Sequence, residues 1–132
     1  MDLSNLDTVA AANTGATMTV CHPATGEELK GADGKAMTLT LMGADSGEFK
    51  RAVADSMKTN KGRKQSTLAD AERATVDLLT RVTIGMSDNW EWDKKPFPFS
   101  KENVRRLYDE RPWLRQQVDE FIADRSNFLA NS

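Results

Sequence analysis

Ala36-Met37-Thr38-Leu39-Thr40-Leu41-Met42, followed at once by Gly43-Ala44-Asp45-Ser46-Gly47-Glu48-Phe49, is where the chain changes period. Up to Met42 the apolar residues alternate, with Met37, Leu39 and Leu41 on one face, which is the period of a strand. From Phe49 the spacing becomes helical: Phe49, Ala52, Val53 and Met57 recur at i, i+3, i+4 and i+8, behind Asp45 or Ser46 as a cap. A β part therefore precedes a helical part, and the fold class is α+β.

Upstream, Thr17-Met18-Thr19-Val20-Cys21-His22 also alternates, with Met18, Val20 and His22 on one face. Pro23-Ala24-Thr25-Gly26 supplies a turn, and Gly31-Ala32-Asp33-Gly34-Lys35 a second, its Asp33-Gly34 being a strong hairpin dipeptide. Residues 17–42 thus predict a small antiparallel hairpin or three-stranded sheet, and about four α-helices are expected after it. The first should end near Asn60 to Gly62. The second spans about Ser66 to Ile84, with Leu68, Ala71, Thr75, Leu79 and Val82 inward, Thr67 and Asp70 as a capping box, and Gly85 as terminator. Ser100 caps a third helix with Val104, Leu107 and Tyr108 inward. Pro112 opens a fourth, whose stripe is Trp113, Leu114, Val118, Phe121 and Ile122, so Trp113 is expected to be buried. Phe128 and Leu129 follow and can fold back. Residues 1–16 sustain neither period and read as a flexible arm, briefly helical at most. Residues 17–129 form a single α+β domain, β over 17–42 and helical over 45–129.

The 132 residues are 39% hydrophobic, with 18 Lys and Arg against 20 Asp and Glu. That balance suits one lean domain that buries about two-thirds of its unfolded surface. No apolar run approaches a membrane span, and the opening Met1-Asp2-Leu3-Ser4-Asn5-Leu6-Asp7 is acidic where a secretory signal is basic. One cysteine and one histidine exclude an internal disulfide and a Cys/His zinc cage. A soluble intracellular protein is expected. The run Lys58-Thr59-Asn60-Lys61-Gly62-Arg63-Lys64 is basic, but it has no aromatic residue to stack a base and reads chiefly as a solvated loop after a helix.

No reactive constellation stands out. Neither a P-loop nor a GxGxxG pattern is present, and Gly43-Ala44-Asp45-Ser46-Gly47 lacks the spacing of a nucleophile elbow. Cys21 and His22 are strand neighbours, so their side chains point to opposite faces. Asp70, Glu72 and Asp77 suit helix-face pairing with Arg73 and Arg81, Asp77 with Arg81 in particular. Asp119, Glu120 and Asp124 would hold a metal only if other ligands converged. No catalytic residue, metal or cofactor is assigned.

The most distinctive stretch is Trp90-Glu91-Trp92-Asp93-Lys94-Lys95-Pro96-Phe97-Pro98-Phe99. Two prolines keep it extended, so Trp90 and Trp92 should share one side with Glu91 on the other. Aromatic residues dominate both cores and interface hot spots. Trp90, Trp92 and Phe97 are accordingly the candidate partner-binding residues, with at least one of them exposed as an anchor.

Residues 90–108, running on through Ser100-Lys101-Glu102-Asn103-Val104-Arg105-Arg106-Leu107-Tyr108, resemble a pattern in small proteins of tailed bacteriophages and prophages. There a tryptophan precedes an acidic turn, Pro-x-Pro-Phe-Ser, Glu-Asn and Leu-Tyr, and a helix like Pro112-Trp113-Leu114 follows. The acidic opening and His22-Pro23-Ala24-Thr25-Gly26-Glu27 are similar to that group as well. Where the pattern often has glycine in the acidic turn, this chain has Asp93-Lys94-Lys95. Members include tail assembly chaperones of long-tailed phages. The resemblance implies a non-catalytic tail morphogenesis factor in the host cytoplasm, binding the tape-measure protein and tail-tube subunits. Alternatives are a structural tail or connector protein of the virion, or a small nucleic-acid-binding regulator using Lys58 to Lys64.

Overall fold

The α+β architecture is present in a computed structural model that describes residues 2–59 and 67–129. A three-stranded antiparallel sheet is built from β1 (Ala16–Thr19), β2 (Thr38–Leu41) and β3 (Thr83–Met86), in the order β1-β2-β3. Thr17 pairs with Thr40 and Met18 with Leu39, so alternation buries Ala16, Met18, Leu39 and Leu41 on one face. Between β1 and β2 the two expected turns form a meander. Val20 N donates to Met37 O at 3.0 Å, and Leu29 N to Val20 O at 2.9 Å. Gly26 and Gly34 turn its corners at φ 76° and 78°, conformations glycine adopts without strain.

The third strand comes from beyond the helices, not from residues 17–42. Helix α3 (Leu68–Val82) runs into β3 with no loop, because β-branched Val82-Thr83-Ile84 favours extended backbone. Gly85, expected as a helix stop, lies within the strand opposite Thr40. A register shift between Thr40 and Leu41 absorbs the change of direction.

Local signals placed the helix starts well. In α2 (Gly47–Thr59), buried Ser46 accepts a hydrogen bond from Phe49 N at 3.1 Å. Thr67 and Asp70 close the capping box of α3, Ser100 caps α4 (Lys101–Glu110) through Asn103 N, and Pro112 opens α5 (Pro112–Ala123). Val104, Leu107 and Tyr108 are buried as expected. The phase of two stripes differs. In α3 the buried residues are Val76, Leu79, Thr80 and Val82, while Leu68 is 77% exposed; in α2 Ala52 is buried but Val53 and Met57 face out. Helix α3 is flanked by α2 and α4, and their positions rotate its buried face. Trp113 is half-buried and its neighbour Leu114 takes the core position.

The N-terminal arm is briefly helical and packs on the body of the protein. Leu3–Asn5 make a 3-10 turn and α1 (Thr8–Thr14) is a helix capped by Asp7, whose side chain accepts from Ala10 N at 2.9 Å. It docks where Gly43 leaves no room: a Cβ there would lie 2.9 Å from Ala12 Cβ and 3.1 Å from the Phe128 ring. Phe128, in α6 (Ser126–Leu129), is buried edge-on to Phe121 at 5.7 Å. The two ends of the chain therefore meet over Gly43.

Asp45 holds this junction. Hydrogen bonds from Arg125, at 2.6 and 3.1 Å, and then from the Thr8 hydroxyl, pull its carboxyl down to about 2. A depressed carboxylate contributes stability above its unfolded value, near 4, and loses that contribution as the pH falls through about 2. The full shift would amount to ~2.5 kcal/mol. Because the Arg125 side chain is 68% exposed, screening reduces this to about 1 kcal/mol. Asp45→Asn should therefore lower stability at pH 7 by about 1 kcal/mol in urea unfolding, and the difference from wild type should close as the pH approaches 2.

Candidate binding site

The aromatic segment folds as a two-stranded hairpin rather than a plain connection. Glu91–Trp92 (β4) pair with Lys95–Pro96 (β5), and Phe97 N donates to Trp90 O at 3.0 Å. Its two turn residues, Asp93 and Lys94, both have positive φ, 52° and 65°, as a type I′ hairpin requires. Pro96 tolerates its place because this short ribbon is all edge.

Alternation holds: Glu91 is exposed while Trp90 and Trp92 turn the other way. That way is inward. Trp90 is only 5% exposed and Phe97 6%, so two of the three candidates belong to the core. The reason is polar as well as apolar. Trp90 Nε1 donates to Ser87 Oγ at 3.0 Å and to Thr38 O at 3.3 Å, which ties the indole to β2. Asn89 extends the network by donating through Nδ2 to Lys35 O and Ala36 O, at 2.9 and 3.2 Å. Gly31 passes so close that a Cβ would fall 2.6 Å from Asn89 Cβ. The meander and the hairpin are thereby locked together.

Trp92 is the half-buried member. It stacks on Phe97 with ring centroids 5.3 Å apart, and the guanidinium carbons of Arg106 and Arg111 each lie 4.4 Å from its ring centroid. Such cation–π contacts fix the ring against α4. Glu110 holds the cations in place: Arg106 Nε donates to its carboxylate and Arg111 Nη1 to its carbonyl, both at 2.8 Å.

Between the hairpin, the meander and the α4–α5 corner lies a cavity of about 260 Å³. Trp90, Trp92 and Trp113 all line it, together with Val20, Leu29, Met37, Leu107 and Leu114. Glu91, Asp93 and Arg111 stand at the same opening. Small-molecule sites usually occupy ~300–1,000 Å³. At about 260 Å³ this one lies just below that range and has room for a large apolar side chain. No local pattern in the sequence points to Leu29, Met37, Arg106 or Arg111, because the segments that carry them meet only in the folded chain.

The remaining candidates fall elsewhere. Cys21 is half-buried, and the Gln117 amide pairs with its backbone, accepting from Cys21 N at 3.1 Å and donating to Cys21 O at 2.7 Å. His22 is exposed, and its Nδ1 accepts from Ala24 N and Thr25 N within the turn. Asp77 bonds Arg105 on α4 instead of Arg81, while Arg81 reaches Glu48 at 2.9 Å and Asp55 at 2.7 Å on α2. The helices pack closely enough that cross-helix partners displace the i,i+4 one. Asp124 caps α6 through Ser126, whose bonds hold its carboxyl below the usual range. Among the described residues no three His, Cys, Asp or Glu side chains converge enough to hold a metal ion. Lys58 is exposed at the end of α2, and Asn60 to Lys64 lie outside the described residues. No helix among the described residues is long and apolar enough to cross a membrane.

Comparison with protein-family models, with curated proteins and with solved structures finds no match to this chain.

The hairpin turn carries measurable strain. A left-handed conformation costs a non-glycine residue ~1–2 kcal/mol. Aspartate tolerates it better than lysine. Lys94→Gly should therefore stabilise the protein by about 0.5–1 kcal/mol after the entropy of a freer unfolded chain is set against the relief. Lys94→Val should destabilise it by a similar amount or more. Urea unfolding of the two variants checks the sign.

Proposed function

We propose that this protein is a non-catalytic morphogenesis factor of a long-tailed bacteriophage, a tail assembly chaperone. It binds the tape-measure protein, and with it tail-tube subunits, in the host cytoplasm. The observation that carries this reading is the cavity of about 260 Å³ lined by all three tryptophans of the chain. A helical client lays its apolar face in a groove and is held by one or a few anchors. Aromatic-walled pockets of side-chain size are where such anchors contribute most. The resemblance of residues 90–108 to phage tail proteins supports the same reading. Trp90 lines the cavity as a buried core residue, Phe97 backs it by stacking on Trp92, and Trp92 and Trp113 present half-buried rings.

Trp113 is the residue to remove, because it lines the cavity from α5 and is only half-buried. Trp113→Ala should weaken capture of a co-expressed tape-measure fragment by about thirtyfold or more, the effect of losing a hot-spot tryptophan. The variant should still melt cooperatively, whereas Trp90→Ala, which empties the core, should unfold. Capture unchanged by Trp113→Ala would place the client elsewhere. A chaperone is also absent from purified virions; its presence there would favour a structural tail component.

A further inference from the structure

A second hollow of about 320 Å³ shares Trp90 and Glu91 with the three-tryptophan cavity. Asp33, Asp88 and Glu91 stand in the wall of this hollow, which has no lysine or arginine. With Asp93 in the lining of the first cavity, the two hollows together carry four exposed carboxylates. Asp33 is held below the usual carboxylate range, first by the backbone N–H of Lys35 and then by the Asn89 amide, with the nearby Lys35 charge acting in the same direction. Among the described residues Asp88, Glu91 and Asp93 make no ion pair. Arg111 also faces the first cavity, but its guanidinium lies on the Trp92 ring and donates to Glu110 O. Lys94 and Lys95 line neither hollow.

Resting on the reading of this cavity as the client site, we propose that the captured segment is apolar and cationic together. One large apolar side chain enters among Trp90, Trp92 and Trp113, and lysine or arginine side chains beside it meet Asp33, Asp88, Glu91 and Asp93. Among the described residues no three acidic groups are close enough to chelate a metal ion. The four carboxylates instead suit ammonium and guanidinium groups on long, flexible side chains. Exposed charge pairs are individually weak and screened by salt, so here they act as discrimination between clients more than as gross affinity.

Because every tryptophan of the chain lines the cavity, intrinsic fluorescence reports its occupancy. The full chain would be titrated with two amphipathic peptides of one pattern, the first of leucine and lysine, the second of leucine and glutamate. The lysine peptide should perturb the tryptophan emission and bind at least about tenfold more tightly at low salt, with the gap narrowing in about 0.5 M salt. The variant Asp88→Asn, Glu91→Gln, Asp93→Asn alters only exposed side chains, and asparagine suits the left-handed position of residue 93. With its fold verified by circular dichroism, it should bring the two peptides within about threefold of each other. Equal affinities in the wild type, binding that leaves the emission unchanged, or discrimination that survives in the triple variant would overturn the proposal. Tape-measure capture that persists while the peptides bind alike removes the cationic preference and leaves the chaperone reading standing. Lost capture with peptide discrimination intact does the reverse.

Discussion

The fold turns on the junction where α3 becomes β3. A helix that ends without a loop leaves its last carbonyls unsatisfied inside the protein. Lys101, from the first turn of α4, answers them: its ammonium donates to Thr80 O at 3.0 Å, Arg81 O at 3.3 Å and Thr83 O at 2.8 Å. Burial pushes its pKa down, while the same carbonyls favour a cation at a helix C-terminus. Beside it, the Thr83 hydroxyl donates to Leu79 O and lies 2.7 Å from the Tyr108 hydroxyl, which completes the buried chain. Burial holds the Tyr108 phenol far above its ordinary range, so it stays neutral. One junction thus joins the helical layer to the sheet through side chains of a third element.

That junction also sets the binding cavity. Lys101 and Tyr108 lie on α4, so fixing them fixes Leu107 in the cavity wall and Arg106 and Arg111 against Trp92. From the other side, Ser87 and Asn89 anchor the start of the hairpin to β2 and the meander. Surface ion pairs add little to this frame. The cavity keeps its shape because its walls are core residues that hydrogen bonds hold on two sides.

The ends of the chain obey the same logic of close approach. Gly43 lets α1 and Phe128 come together over it, with Gly43 N donating to Ala12 O at 3.1 Å. The alanine-rich stretch at 9–12 has little apolar surface of its own, and only Ala12 is buried. Its helix depends on Asp7 for a cap and on Asn13 and Asp45 for its ties to the body.

Local forces left readable signals in the amino-acid order. Alternation over Met37, Leu39 and Leu41 specifies a strand, Thr67 with Asp70 and Ser100 with Asn103 specify helix starts, and Pro112 specifies a first turn. Each depends on atoms a few residues apart. Which side of a local element faces the core was decided only by tertiary structure. The period of α3 was legible but its phase was not, since α2 and α4 choose whether Leu68 or Val76 is covered. Trp90 and Trp92 were readable as sharing one side, but the partner for that side comes from residues 20–38 and 104–114, far away along the chain. Asp77 found Arg105, and β3 found β2, for the same reason: periodicity sets relative orientation within an element, and only packing between elements sets its absolute direction.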